Sequence, residues 1–380
     1  MEKMTILVLG GYGGTGRLFC RYLLKETDVH VIVAGRRIEK ARELADKLQM
    51  EFPAERVMAR HVDASDKESL RQAFSGIDFV LVAATTTRWA KQIAETAIEA
   101  GIDYLDIYFQ QSAYPEIRTL AERIRENDRC FITQAGFHPG LPAAIIRKGA
   151  QYFDRYDKAK IAFAMNARIE YADSVHELID EFVDYNPEFF QNGKWQLATY
   201  KDAIKVYYGE RFGVRDSMPI DMVEIRSLPE QFGLHDTGVF AGGFNWFIDY
   251  VFFPFLMLSQ KIKRGSLKNF WAKVFIFGIN TFSCKQEGVV FVLLAEGLKN
   301  GQPLNVKLIL EHDSAYDFTV IPVLAMLKQY LDGSKRKPGL WMMGHLADPD
   351  RLLVDMEKMG VKIQSGSQTP VISPHRTQRT

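Results

Sequence analysis

The sequence has 380 residues, of which 47% are apolar and 25% are charged; this balance is typical of globular chains and excludes a fully disordered or fibrous protein. Lys plus Arg number 48 and Asp plus Glu number 47, so no overall charge draws the chain to nucleic acid, and we predict no nucleic-acid partner. The three cysteines are far apart, which argues against a disulfide scaffold and favours a reducing compartment.

The first apolar run, residues 5–9, is only as long as one strand and leads directly into glycines. A secretory signal needs a longer apolar stretch and a small-residue cleavage site. We therefore interpret this run as the first strand of a cytoplasmic protein. A clean apolar run of ~20 residues does not occur, so an ordinary spanning helix is not expected.

Apolar runs and charged amphipathic stretches alternate through the first 135 residues. Strands are predicted at residues 5–9, 30–34, 57–62, 79–83, 104–106 and 130–133. Helices are predicted between them at residues 14–25, 38–50, 67–74, 88–100 and 112–126. Because crossovers of this kind join parallel strands with a right-handed turn, the pattern predicts an α/β fold: a Rossmann-type doubly wound parallel sheet with strand order 3-2-1-4-5-6.

A glycine-rich turn follows the first predicted strand. Its GxGxxG spacing falls on Gly11, Gly13 and Gly16. These glycines permit a tight turn, a close approach of the backbone to a pyrophosphate, and close packing of the first helix on the sheet. The strand before and the helix after the turn support dinucleotide binding over a turn without a ligand. The other residues assigned to the cofactor here are Tyr12, Gly14 and Thr15.

Arg36 and Arg37 stand at the end of the second strand, about 20 residues beyond Gly16. An NAD-binding domain usually has an acidic residue there to hold the ribose 2′-hydroxyl, and the nearest acid, Glu39, lies inside the next helix. A guanidinium fork suits a 2′-phosphate instead. We therefore predict NADP(H) as the cofactor; the open alternative is that the two arginines are surface charges at the start of the next helix.

Two further strand ends are candidates for lining the cofactor. Asp63 follows the third strand and is placed to edge an adenine pocket. Small residues after the fourth strand leave room for the nicotinamide side, and they are Ala84, Thr85 and Thr86. Ordinary strand ends and helix caps use the same residue types, so that interpretation stays open for each.

Four segments together resemble the saccharopine dehydrogenase-like NADP-binding oxidoreductases. They are Leu-Gly-Gly-Tyr-Gly-Gly-Thr-Gly (9–16), Ala-Gly-Arg-Arg (34–37), Ala-Ile-Glu-Ala-Gly-Ile-Asp-Tyr-Leu-Asp (97–106) and Ala-Gly-Phe-His-Pro-Gly-Leu-Pro (135–142). Residues 337–363 are similar to the closing segment of that family more loosely. The resemblance implies a two-domain enzyme that moves hydride between NADP(H) and a carbon, often that of an amine or imine. The family also includes enoyl reductases that act on lipid-like substrates.

His138 departs from the family pattern, which often has an acidic residue at this position. A carboxylate could hold a cationic amine and a neutral imidazole could not, so the departure weakens an amino-acid substrate. We predict that His138 is a catalytic acid that titrates near neutral pH. Asp106 or Tyr108, at the end of the fifth strand, is predicted to orient it. The open alternatives are that His138 only packs in a Pro-Gly turn and that Asp106 caps the next helix.

A second α+β domain is predicted after residue 153, where the alternation stops. Apolar runs at 288–296 and 304–311 flank Asn300-Gly301, a strong hairpin signal, so we expect a mixed or antiparallel sheet. A helix interrupted by Pro322 is expected over 314–330. The predicted domains are 1–136 for the cofactor, 137–318 for substrate and dimerisation, 319–363 as a return segment on the first domain, and 364–380 as a disordered tail.

Two segments of unusual composition interrupt the second domain. Residues 244–282 contain two aromatic segments around a basic stretch, and Asp249 and Pro254 make a spanning helix costly. This region is interpreted as a buried dimer interface or a lid over an apolar substrate, with peripheral membrane contact as the alternative. The acidic stretch 171–184 has helical spacing and is interpreted as a solvated helix face, and we predict no metal site.

These predictions combine into an NADP(H)-dependent oxidoreductase that transfers hydride to or from a C=N, C=O or C=C carbon of a small or apolar substrate. We expect a cytoplasmic homodimer. Two alternatives stay open: a non-catalytic NADP-binding or sensing protein, and a membrane-surface lipid (enoyl) reductase.

Overall fold

The computed structural model describes residues 3–166, 175, 179, 186–263, 267–283 and 286–368. Apart from Val175 and Ile179, the acidic stretch 171–184 lies outside the described residues, and so do residues 369–380 of the predicted tail. No described helix is both long enough and apolar enough to cross a membrane.

Seven parallel strands form the sheet of the first domain. They are β1 (Thr5–Leu9), β2 (His30–Gly35), β3 (Val57–His61), β4 (Phe79–Val82), β5 (Asp103–Asp106), β6 (Cys130–Thr133) and β15 (Gly339–Met342). Their order is β15-β6-β5-β4-β1-β2-β3. The predicted Rossmann-type order is therefore confirmed, and a strand from the return segment extends it at the β6 edge.

Helices connect these strands and cover both faces of the sheet. They are α1 (Gly14–Glu26), α2 (Ile38–Gln49), α3 (Lys67–Phe74), α4 (Ala90–Glu99), α5 (Ala113–Arg118) and α6 (Ala121–Glu126), with 3₁₀ turns at Ala54–Arg56 and Thr87–Trp89. The single helix predicted over 112–126 is two helices. The Thr119 hydroxyl donates to the carbonyl oxygen of Glu116 between them, a local bond that competes with helix continuation.

The alternation of side chains along β1 shows why the sheet needs two helical layers. Ile6 and Val8 pack with Phe19 of α1 on one face, and Leu7 packs with Ile93 of α4 on the other. All five are fully buried. A strand that is apolar on both faces is stable only when both faces are covered, as in parallel α/β sheets.

A mixed sheet of nine strands forms the second domain. They are β7 (Arg155–Asn166), β8 (Glu188–Gln191), β9 (Lys194–Leu197), β10 (Ile204–Tyr207), β11 (Val214–Ile220), β12 (Asp236–Gly242), β13 (Gly288–Lys299), β14 (Gln302–His312) and β16 (Lys362–Gln368). The main order is β10-β11-β12-β7-β13-β14-β16, with β8 and β9 beside β12. Among the described strands of this sheet, only β12 and β7 pair in parallel, and the predicted Asn300-Gly301 hairpin joins β13 to β14.

The remaining helices whose bounds the structure describes follow β6 in the chain. They are α7 (Leu141–Ala150), α8 (Leu228–Phe232), a π-helical turn (Ile248–Phe252), α9 (Phe253–Ile262), α10 (Lys268–Phe282), α11 (Ala315–Leu331), α12 (Met343–Leu346) and α13 (Pro349–Lys358), with 3₁₀ turns at Tyr200–Asp202 and Val223–Ile225. Helix α11 continues through Pro322, which the sequence predicted to interrupt it.

The return segment, predicted as residues 319–363, contributes one strand to each sheet and ends later than predicted. Strand β15 completes the first sheet, whereas β16 pairs with β14 of the second. The predicted tail began at residue 364, but residues to Gln368 belong to β16. One hydrophobic core, which includes Phe137, Phe163, Phe291 and Phe318, runs from the first domain into the second. The loop after β6 is held where the two domains meet.

Candidate active site

The glycine-rich turn between β1 and α1 depends on Gly10, which lies just before the three glycines of the GxGxxG motif. Gly10 has φ +83°, a left-handed conformation that favours glycine, and its N–H donates to the Ala34 carbonyl oxygen at 2.8 Å. The sequence predicted that Gly11 makes the tight turn, whereas in the structure Gly10 makes it. A Cβ on Gly16 would overlap the Gly10 carbonyl oxygen, which confirms that glycine lets α1 pack against the turn.

The N-terminus of α1 is open toward this turn. Gly13 is the N-cap residue and supplies no side-chain cap, and the first turn contains no acidic residue. Gly14 and Thr15 are the first two helical residues. Free N–H groups and the positive end of the helix dipole are the features that bind a phosphate.

Tyr12 connects this turn to the end of β2. Its hydroxyl oxygen accepts a hydrogen bond from the backbone N–H of Arg37 at 3.0 Å. The ring lies over Gly35, where a Cβ would come within 2.6 Å of it. The Arg37 guanidinium carbon is 5.9 Å from the ring centroid. Arg36 and Arg37 are exposed, and neither forms an ion pair with the residues that the structure describes.

Asp63 forms a local turn at the same rim. Its carboxylate accepts from the backbone N–H of Ser65 at 2.9 Å and from the Ser65 hydroxyl at 2.7 Å. These bonds, with a smaller contribution from the nearby charge of Arg36, lower the pKa of Asp63. The Asp63 carboxylate thus has a structural role within its own loop. Its predicted place at the edge of an adenine pocket stays a prediction.

The end of β4 meets the glycine-rich turn and the end of β5. A Cβ on Gly10 would come within 2.8 Å of the Ala84 Cβ, so small residues on both sides allow this approach. Thr85 is exposed. The hydroxyl of the buried Thr86 lies 3.0 Å from the hydroxyl of Tyr108. The structure thus brings the predicted residues of β4 and β5 together.

Asp106 is a fully buried carboxyl group at the end of β5. Burial raises its pKa to about 6, although the nearby Thr133 hydroxyl and the Tyr108 backbone N–H oppose the shift. That N–H donates to Oδ1 at 3.3 Å. The Thr133 and Tyr104 hydroxyls lie close enough to Asp106 to lower its pKa, but neither they nor Oδ2 form a well-aligned hydrogen bond with a described group. A buried polar atom without a partner is costly and points to an additional ligand or water.

Gln134, which the sequence analysis missed, adds two more such atoms. It follows β6 in a left-handed conformation with φ +54°. The side chain is fully buried, and neither its amide nitrogen nor its amide oxygen has a partner in the described part of the chain. A glutamine after a strand gives no clear signal in a sequence, because the orphaned amide becomes visible only when the fold buries it.

His138 lies in an apolar cage in the loop that enters the second domain. Its ring centroid is 3.9 Å from that of Phe137, 4.5 Å from Phe163 and 5.4 Å from Phe109. The residue is half-buried, but Nδ1 is buried and has no partner within the described ranges. Burial lowers the His138 pKa to about 3. The aromatic walls disfavour the imidazolium, which argues against the predicted titration near neutral pH.

Glu224, also missed from the sequence, holds the other end of this loop. Its carboxylate is fully buried and accepts from the backbone N–H of Gly140 at 2.7 Å and of Ala143 at 3.3 Å. It thereby caps α7 from a distant part of the chain. Burial raises the Glu224 pKa to about 7, against the effect of the two N–H donors. His345 Nε2 lies 2.6 Å from the Glu224 carbonyl oxygen.

This arrangement fits a dinucleotide that crosses the carboxyl ends of the parallel strands, where open α/β sheets bind ligands. The glycine-rich turn packs so closely on the strands and on α1 that an added Cβ on Gly10, Gly11 or Gly16 would clash with the protein itself. Arg36 and Arg37 provide cations at one end. The orphaned polar atoms of Asp106 and Gln134 lie at the ends of β5 and β6, on the other side.

Comparisons with known proteins agree with this fit. Residues 6–132 match the family model described as the saccharopine dehydrogenase NADP binding domain. The probable arogenate/prephenate dehydrogenase of Methanocaldococcus jannaschii is 29% identical over 147 residues, which are 38% of this chain but only 29% of that protein.

Among solved structures, apo saccharopine dehydrogenase (L-Glu forming) from Saccharomyces cerevisiae superposes with a TM-score of 0.71 at 12% identity. The match covers 96% of this chain and 100% of that one. A dehydrogenase from Chromobacterium violaceum covers 94% of this chain and 93% of its own, with a TM-score of 0.44 and 12% identity. The resemblance seen in the sequence is confirmed at this level: residues 6–132 match the saccharopine dehydrogenase NADP binding domain, and the fold of the whole chain is that of the yeast saccharopine dehydrogenase structure.

Proposed function

We propose that this protein is an NADP(H)-dependent oxidoreductase that transfers hydride to or from a C=N, C=O or C=C carbon of an apolar substrate. The main support for the proposal is the cluster of polar side chains around Asp106, which includes Tyr104, Thr133 and Gln134. It is buried, partly without partners, and located at the carboxyl ends of the parallel strands, where open α/β sheets bind ligands.

The preference for NADP(H) rests on the end of β2. Arg36 and Arg37 offer two exposed guanidinium groups, and Tyr12 holds the backbone of Arg37 against the glycine-rich turn. Glu39 is exposed in the first turn of α2. A guanidinium pair favours a 2′-phosphate, whereas a ribose 2′-hydroxyl is usually held by a carboxylate at this strand end.

The protein's own groups divide the remaining tasks. The turn and the N-terminus of α1 hold the pyrophosphate, and Ala84 leaves space beside it. The bound cofactor supplies or accepts the hydride. Asp106, whose pKa is about 6, is protonated in about half of the molecules at pH 6 and about a tenth at pH 7, and it passes this proton to the substrate as the hydride is transferred. A group that titrates near the working pH is suited to this role.

We assign His138 a role in shaping the substrate space and not the role of catalytic acid that the sequence predicted. As a neutral imidazole it can still donate or accept a hydrogen bond, and it forms one wall of the substrate space together with Phe109 and Phe163. Among the described residues, no charge acts on the His138 ring. Such aromatic walls favour an apolar substrate over an amino acid, because a buried carboxylate or ammonium needs a charged partner.

The test is consumption of NADPH, followed by its absorbance, with three substrate classes: cyclic imines, α-keto acids and enoyl lipids. We expect turnover with an apolar imine or an enoyl substrate, and a large loss of turnover in Asp106→Asn with unchanged NADPH affinity. NADPH binding without turnover on any class would instead support the non-catalytic NADP-binding alternative.

A further inference from the structure

A helical hairpin in the second domain presents large apolar side chains to solvent. We call residues 244–282 the aromatic hairpin; it contains the π-helical turn, α9 and α10. It carries eight of the fourteen large apolar side chains that are exposed in the described residues. The eight are Trp246, Tyr250, Phe255, Leu258, Ile262, Leu267, Phe270 and Phe277. Single exposed apolar residues are ordinary, but a concentration of this size marks a contact surface.

Five of the eight exposed side chains lie on the outer faces of the two helices α9 and α10. In α9, Phe255, Leu258 and Ile262 are spaced by three and four residues and therefore share one face. Leu256 is fully buried on the inner face. The outer face of α9 therefore points away from the core of the hairpin.

Helix α10 repeats this arrangement. Phe275 and Ile279 are buried against the hairpin core, whereas Phe270 and Phe277, seven residues apart, are exposed on the opposite side. Lys273 is exposed between them. The exposed apolar face is thus directed to the exterior and does not close over the candidate active site of the same molecule.

The charge of the aromatic hairpin selects its partner. Its single acidic residue, Asp249, is half-buried and accepts a hydrogen bond from the Phe244 backbone N–H at 3.0 Å. Its five basic residues are Lys261, Lys263, Arg264, Lys268 and Lys273. In a symmetric dimer through this face, two such basic surfaces would repel each other. Aromatic side chains beside lysines are instead typical of helices at the surface of an anionic bilayer.

We propose that the aromatic hairpin docks this protein on an anionic lipid surface. Helix α10 has 15 residues, too few for the ~20 that span a bilayer, so the hairpin lies in the plane of the interface. The hairpin follows β12, in which Ala241 pairs with Phe163, and the Phe163 ring is 4.5 Å from that of His138. The docking surface therefore begins close to the aromatic wall of the candidate site. The proposal stands whether or not that site turns over.

The experiment is flotation of the purified full-length protein with vesicles. One set contains phosphatidylcholine alone, and the other contains phosphatidylcholine mixed with phosphatidylglycerol. The apolar variant is Phe255→Ser with Phe277→Ser, and its matched control is Leu197→Ser, an exposed residue of β9. The charge variant is Lys263→Glu with Lys273→Glu, and its matched control is Lys194→Glu, exposed in the same strand β9.

We expect the wild type to float with the anionic vesicles and to dissociate as salt is raised. Each apolar side chain should contribute about tenfold to partitioning, and each basic residue about fivefold on anionic vesicles only. Both control variants should behave as the wild type, and NADPH binding should report that every variant is folded. Absence of flotation, flotation that ignores the hairpin substitutions, or a stable dimer that Phe255→Ser with Phe277→Ser dissociates would each overturn the proposal.

Discussion

The phenolic oxygen of Tyr12 accepts a hydrogen bond from the backbone N–H of Arg37 at 3.0 Å. The first residue belongs to the turn after β1 and the second to the end of β2, and the Tyr12 ring also lies over Gly35. One side chain therefore sets the separation between the proposed pyrophosphate site and the proposed 2′-phosphate site.

Substitution of Tyr12 by Phe should weaken NADPH binding two- to fivefold, because an exposed neutral hydrogen bond contributes about 0.5–1 kcal/mol. The ring stays on Gly35, so the melting temperature should change little. Isothermal titration calorimetry checks the affinity. Tyr22→Phe is the matched control. Tyr22 lies farther along α1, and its hydroxyl donates to Asp317, so its removal should leave NADPH binding unchanged. An unaltered affinity in Tyr12→Phe would refute this role.

Substitution of Asp106 by Asn should stabilise the protein above pH 6. The folded-state pKa of Asp106 is raised from 3.8 to about 6, so the favourable protonated form is present below pH 3.8 and is lost as pH rises through about 6. The resulting penalty near pH 7 is at most about 3 kcal/mol. Chemical denaturation at pH 5 and pH 8 tests this: the variant should gain stability mainly at pH 8. Asp63→Asn is the opposite control, because the pKa of Asp63 is lowered and the variant should lose stability at pH 8.

The pH profile of the reductive reaction should contain one inflection near pH 6, with turnover falling as pH rises. This follows if Asp106 delivers the proton. His138 has a pKa of about 3 and should add no inflection between pH 5 and 8. Asp106→Asn should abolish the inflection and His138→Asn should keep it at a lower rate. A profile that loses its inflection only in His138→Asn would return the acid role to the histidine.

Substitution of Glu224 by Ala should lower the free energy of unfolding by about 1–3 kcal/mol, because two buried N–H groups at the start of α7 lose their acceptor. It should also impair turnover, since the same residues anchor the His138 loop. Asp348→Ala removes the N-cap side chain of a different helix, α13, and serves as the control. If both variants change turnover equally at matched stability, Glu224 has no specific role in positioning the His138 loop.

The first sheet could be predicted because its information is local. Apolar runs of strand length alternate with amphipathic helices, and the glycines and arginines stand at fixed distances along the chain. Strand β15 could not be placed in this way, because it joins β6 from residues 339–342, long after the alternation has ended.

The candidate site was predicted only where its residues follow successive strands. Asp106 and Tyr108 could be named because carboxyl ends of parallel strands meet at one edge. Glu224 reaches Gly140 across 84 positions of sequence, and no spacing rule connects them. The aromatic surroundings of His138 could not be predicted for a related reason: two of the rings beside it, Phe109 and Phe163, belong to other segments of the chain.

The most direct test of the account is calorimetric titration of the wild type and of Arg36→Ala with Arg37→Ala, each with NADPH and NADH. The account predicts that the wild type binds NADPH more tightly and that the double variant loses ten- to hundredfold in NADPH affinity with little change for NADH, since hydrogen bonds to a charged group contribute about 1.5–3 kcal/mol. Lys40→Ala with Arg42→Ala removes two charges from α2 and should preserve the preference. A wild type that does not bind NADPH, or a double variant that keeps its preference for NADPH, would contradict the account.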